Sequence, residues 1–91
     1  MSVKVVPAPG SGMEYWAKTV LSDEYDKGEK GFTLPSTAVG ELIYAVPGVQ
    51  KFFMNGYSLR VYRSEAFEWD EITPKIVEIL EGLESDYEVQ V

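Results

Sequence analysis

Carboxylates are the most abundant reactive groups in this chain, and their spacing decides what chemistry they can do. Asp23, Glu24, Asp26 and Gly28 lie in S-D-E-Y-D-K-G-E-K-G, with a glycine sixth from Asp23 as in a calcium-binding loop. Tyr25 and Lys27 occupy positions where such a loop needs oxygen ligands. The twelfth position is Leu34 in place of a bidentate glutamate, so the calcium reading fails. Glu65, Glu68, Asp70 and Glu71 gather just before an apolar helical stripe, where carboxylates suit the positive end of a helix dipole. Capping and solubility explain them better than acid/base catalysis. The pairs Gly10/Gly12 and Gly28/Gly31 do not lead from a strand into a helix through Lys-Ser/Thr, so they read as turns and not as phosphate loops.

Two zeros narrow the field further. The 91 residues include no cysteine and no histidine. Thiolate nucleophiles, disulfides, zinc, haem, Fe–S ligation through sulfur and histidine-based triads are thereby excluded on inventory. The expectation is a chain with no catalytic residue, no metal site and no cofactor, hence not an enzyme. A formal charge of −7 argues against a nucleic-acid partner, because tracking phosphates takes a basic stripe. No segment approaches the ~20 apolar residues of a membrane span. The start, M-S-V-K-V-V-P, is too short and too interrupted for a signal peptide. A cytoplasmic protein, monomeric or weakly dimeric and without a membrane partner, is expected.

What remains is a surface. Trp16, Lys18, Lys51, Phe53, Arg60 and Tyr62 fall on the outward positions of strands, mixing aromatic rings with cations on an acidic protein. A solvent-facing Phe53 leaves about 1.5–3 kcal/mol of burial unrealised, and patches of this kind mark docking sites. Phe53 and Trp16 would anchor a protein partner, with Lys51 and Arg60 complementing an acidic patch. An ordinary half-polar face, or one covered by the Ser22–Leu34 segment, is the plainer alternative.

The elements that must position this surface follow from periodicity. Asn55-Gly56 between two aromatic and branched runs signals a two-residue hairpin pairing Met54 with Tyr57, Phe52 with Leu59 and Gln50 with Val61. Phe52, Met54, Tyr57, Leu59 and Val61 then share the core face; Val49, Lys51, Phe53, Ser58, Arg60 and Tyr62 share the other. Val3–Val6 reads as a first strand ended by a Pro/Gly loop. Met13–Leu21 reads as a second, with Met13, Tyr15 and Ala17 inward. Ser22–Gly31 reads as a solvated loop. Ser36 or Thr37 caps a helix to about Val46 with Val39, Leu42, Ile43 and Val46 on its stripe. A second helix starts near Asp70–Thr73, because Pro74 suits only a first turn, and buries Ile72, Ile76, Ile79, Leu80 and Leu83. Tyr87, Val89 and Val91 alternate as a short C-terminal edge strand. The result is an α+β fold over one domain, residues 1–91. It is a two-layer β-β-α-β-β-α sandwich with both helices on one face of a mainly antiparallel sheet.

Glu41-Leu42-Ile43-Tyr44-Ala45-Val46-Pro47-Gly48-Val49, then Phe52-Phe53, Leu59-Arg60-Val61 and Trp69-Asp70-Glu71-Ile72-Thr73-Pro74-Lys75-Ile76, carry a family resemblance. They are similar to the L-F-x-I-x-G-V, hairpin and W-x-x-L/I-x-P-x-I pattern of the N-terminal domain of Nfu/NifU-type scaffold proteins. Pro7-Ala8-Pro9 followed by Met13-Glu14-Tyr15 looks like that family's P-N-P-N-x-(L/M)-K-F, without its asparagines. The resemblance runs from about Pro7 to Leu80 and is closest to stand-alone bacterial members. It implies the family's fold and an association with iron–sulfur cluster assembly. The family's cluster ligands lie in a Cys-x-x-Cys of a separate domain, and no residue of this chain matches them.

The function expected is therefore a non-enzymatic accessory domain that binds a protein partner and is linked to iron–sulfur assembly, without cluster ligands of its own. The alternatives are an oxygen-ligand metal-handling or small-ligand-binding domain, and single-stranded RNA binding through the open sheet face.

Overall fold

The computed structural model describes residues 3–18 and 20–89, with backbone alone at 23 and 84–89. The elements are β1 (Lys4–Ala8), β2 (Gly12–Trp16), β3 (Ser22–Glu29), α1 (Ala38–Tyr44), β4 (Val49–Gly56), β5 (Ser58–Arg63) and α2 (Trp69–Val89). The five strands form one antiparallel sheet in the order β1-β2-β5-β4-β3. Both helices cover one face of it, giving the α+β sandwich expected from the sequence, with one more strand. No helix among the described residues is long and apolar enough to cross a membrane.

The hairpin forms with its turn moved by one residue. Asn55 pairs with Ser58, Met54 with Leu59, Phe53 with Arg60 and Phe52 with Val61, so Gly56 and Tyr57 are the loop. Gly56 has φ +59° and Tyr57 stays out of the left-handed region, which is the glycine-first pattern of a type II′ turn. The shift moves each partner by two positions, an even step, so both faces keep their members. Phe52, Met54, Leu59 and Val61 are buried, while Tyr57, expected in the core, is half exposed at the turn. Val49, expected outside, is buried because the pairing slips between Val49 and Lys51 and turns it inward.

The Ser22–Gly31 loop is mostly a strand. Charge and glycine hide it, because an alternating apolar pattern is absent. Asp26 and Gly28 point inward while Lys27 and Tyr25 point out. An inward charge is a recognised device on edge strands. Residues 23–25 lie opposite Asn55 alone, a bulge that interrupts the pairing between Ser22 and Asp26. The second strand is correspondingly shorter than expected and stops at Trp16.

Asp26 is 3% exposed and closes the structure at this edge. Its carboxylate accepts the backbone N–H and hydroxyl of both Ser36 and Thr37, at 2.5 to 3.1 Å, and the N–H of Lys27 at 2.9 Å. Thr37 is the N-cap of α1, and its hydroxyl also accepts the Gly40 N–H at 2.9 Å. Burial disfavours the ionised carboxyl, but the hydrogen bonds from Thr37 and Ser36 outweigh it and hold its pKa below the ordinary value. A Cβ at position 40 would collide with Asp26 Oδ2, so the approach of carboxylate to helix demands glycine there.

The helices contribute Ile43 and Val46 from α1 and Ile72, Ile76 and Leu80 from α2 to the core. Leu42, expected on the buried stripe of α1, is 50% exposed; Val39 packs partly against the core as expected, and Tyr44 takes the place meant for Leu42, turning the stripe toward β3. α2 begins at Trp69, one residue earlier than expected, with the Glu68 N–H donating to Glu71 Oε2 at 2.9 Å as in a capping box. Pro74 is therefore in the second turn and leaves the exposed Asp70 carbonyl without a helical donor. Buried Tyr15 ties β2 to this helix through its hydroxyl, 2.8 Å from Thr73 Oγ1. α2 runs through Val89, so Tyr87 and Val89 are helical and not in an edge strand; Val91 lies outside the described residues.

Two stability measurements follow from these contacts. Asp26→Asn replaces an oxygen that meets only donors with an amide N–H₂, and is expected to cost about 2–4 kcal/mol in urea unfolding. Because the folded pKa is depressed, the aspartate's contribution is complete above about pH 4 and drains as pH falls through the folded value. The wild-type and Asp26→Asn stability curves should converge on acidification. Separately, Phe52→Ala is expected to cost about 3–5 kcal/mol as a core truncation, and Phe53→Ala under about 1 kcal/mol. Equal losses in thermal melts would refute the two-face assignment.

Candidate functional site

The sheet face away from the helices is built by three cross-strand rows. Pairing places Lys27, Phe53, Arg60 and Glu14 in one row, with Glu29, Lys51 and Tyr62 beside it. Asn55, Ser58, Trp16 and Lys4 form the third. Period-two alternation fixes these positions once the core face is set, because each outward residue neighbours a buried one along its strand.

Phe53 is the centre. Tyr25 stacks on it at 6.4 Å between centroids, and Tyr62 meets it edge-on at 6.2 Å. Lys51 Nζ lies 5.1 Å from the Tyr62 ring centroid and 5.8 Å from that of Phe53, so one ammonium sits against two rings. The Tyr62 hydroxyl donates to the Pro9 carbonyl at 3.3 Å, which pins the ring near the β1–β2 turn. A depression of about 230 Å³ beside Phe53 is lined by Lys27, Lys51, Glu29 and Thr33. Another, about 160 Å³, is lined by Tyr25, Asn55, Ser58, Arg60 and Glu14. Phe53 borders both.

Arg60 and Trp16 belong to a second group, organised by Glu14. Arg60 Nη2 and Nε donate to Glu14 Oε2 at 2.8 and 3.2 Å, and Trp16 Nε1 donates to Oε1 at 3.0 Å. Arg60 chiefly, then Trp16, hold the Glu14 carboxyl below its usual pKa. Arg60 is thus an internal ion pair, and its charge is largely spent on Glu14. Trp16 remains 44% exposed.

Of the six residues anticipated, Lys51, Phe53 and Tyr62 touch one another, and Trp16 and Arg60 share Glu14. Lys18 lies past the end of β2, exposed, in the bend before β3. Tyr25, Lys27 and Glu14 were not anticipated. The first two lie on the strand mistaken for a loop, where the spacing Tyr25-x-Lys27-x-Glu29 was the available signal. Glu14 shares outward parity with Trp16, and Arg60 opposes it across β2 and β5. The Ser22–Leu34 segment does not cover the face: β3 extends the sheet sideways. Among the described residues, no three acidic side chains gather as a metal site.

No protein-family model matches the chain, and no curated protein matches it. Among solved structures, it is similar to the X-ray crystal structure of protein SAV1430 from Staphylococcus aureus, with a TM-score of 0.66 and 18% identity. The match covers 87% of this chain and 98% of that one. At that identity the likeness is one of fold, and it carries the α+β sheet-and-two-helix architecture described above.

Proposed function

We propose that this chain is a non-enzymatic accessory domain that docks a protein partner on its uncovered sheet face. The single observation behind this is the packing at Phe53. Rings from β3, β4 and β5 and the Lys51 ammonium converge there on a face that neither helix covers. Held by one another, these rings lose little freedom on binding, which favours them as anchors. The chain offers no cysteine or histidine for catalysis or cluster ligation.

The link to iron–sulfur assembly rests on the resemblance to the Nfu/NifU N-terminal domain, whose matching residues fall on α1, β4, β5 and the start of α2. On that basis the partner belongs to the cluster-assembly machinery, the cluster stays on the partner's cysteines, and the chain acts in the cytoplasm as a monomer or weak dimer.

The test is an amide chemical-shift titration of the ¹⁵N-labelled chain with the cysteine-bearing domain of an Nfu-type scaffold, cluster-free and cluster-loaded. Saturable shifts at residues 51, 53 and 62 are expected, and Phe53→Ala should weaken binding by about 2 kcal/mol. Shifts confined to α1 and α2 would remove the sheet face from the proposal. Silence with both forms would remove the link to cluster assembly.

A further inference from the structure

The chain's charge is unevenly divided along the sequence. Residues 1–63, which carry the whole sheet and α1, hold seven Lys/Arg against six Asp/Glu, a net +1; residues 64–91, which carry α2, hold one against nine, a net −8. The outward sheet face is cationic, with Lys4, Lys27, Lys51 and Arg60 against Glu14 and Glu29. Arg60 and Glu14 cancel each other. Lys27 and Lys51 form no ion pair with any described residue, and both line the larger depression beside Phe53.

Resting on the docking face proposed above, we infer the chemistry of its occupant. The occupant is a short acidic protein segment bearing an aromatic side chain. Its carboxylates meet Lys27 and Lys51, and its ring meets the Tyr25–Phe53 edge.

Three features carry this. Lys27 and Lys51 outnumber Glu29, which faces Lys51 across the β3–β4 pairing, so the depression beside the Phe53 ring keeps a net positive charge and matches an anion attached to an apolar group. The second depression joins Tyr25 and Phe53 to Asn55, Ser58 and the mutually paired Arg60 and Glu14, so the rings continue into a hollow without net charge. The small number of cations then limits length. A few carboxylates would stay within roughly one Debye length, about 8–10 Å, of Lys27 and Lys51, while a long polyanion such as nucleic acid would run past them with no basic stripe to follow.

The experiment uses the ¹⁵N-labelled chain and three probes: a synthetic peptide with three glutamates around one tryptophan, the same peptide with lysines for glutamates, and a single-stranded oligonucleotide. The acidic peptide should give saturable shifts at residues 25, 27, 51 and 53. Lys27→Glu with Lys51→Glu, two partly or fully exposed positions, should weaken it by about tenfold or more, with unchanged amide signals from the core showing that the fold is kept. Phe53→Ala should weaken it as well. If both peptides bind the face equally, or charge reversal has no effect, the acidic preference is overturned while the docking face stands. If only the oligonucleotide moves these signals, the occupant is nucleic acid and the inference fails. If no probe moves them, the inference fails on its own, because the docking proposal is judged on folded partners.

Discussion

The Asp26 carboxylate is the constraint on which the two-layer arrangement turns at its open edge. A buried carboxylate is unfavourable unless nearly every lone pair is met, and here five donors from Lys27, Ser36 and Thr37 meet it. Those donors come from β3 itself and from the first residues before α1. One ion therefore joins the edge strand to the helix and sets where the helix starts. Gly40 completes the joint, since any side chain would displace the oxygen. The segment 33–37 is drawn along the β3 edge, and the Glu29–Thr33 bridge pairs part of that edge. A strand that would otherwise offer its backbone to another chain is partly closed by its own sequel. At the other edge, Pro7 in β1 supplies the same protection by removing a donor.

Because both helices are held on one side, the other side of the sheet is left to side chains alone. Its order comes from two local devices. Glu14 takes Arg60 on one oxygen and Trp16 on the other, fixing an aromatic ring and neutralising a cation in one contact. Phe53 gathers Tyr25, Tyr62 and Lys51. The first group is largely self-satisfied. The second keeps an ammonium that forms no ion pair among the described residues, which distinguishes it as the part of the face able to select a partner.

What was legible in the sequence was the part governed by hydrophobic period. Phe52, Met54, Leu59 and Val61, and Ile72, Ile76 and Leu80, are buried as their spacing requires. The turn was displaced because Asn-Gly serves two turn types. In a type I′ loop both residues lie in the turn, whereas here Gly56 leads and Asn55 closes the ladder. β3 was not legible, because its inward residues are a carboxylate and a glycine. Asp26 is buried through contacts 10 and 11 residues away in sequence, a satisfaction no local pattern reveals. The candidate face inherited both outcomes. Its β4 and β5 members were placed correctly, and Tyr25 and Lys27 were missed with their strand.

The missing piece changes the physical character of the face. Without β3, Phe53 would stand at a sheet edge with Tyr62 one strand in, and Arg60 would be a principal cation. With it, Phe53 sits one strand in, flanked by Tyr25, and Lys27 stands beside it in the same row. Arg60 meanwhile is bound to Glu14. The usable positive charge thus moves from β5 toward β3 and β4, to the side of the sheet closed by Asp26. An edge stiffened by a buried ion and a tethered helix can hold Lys27 and the Tyr25–Phe53 stack at fixed spacing. The joint that closes the fold and the chemistry of the proposed docking face are therefore carried by neighbouring residues of the same strand.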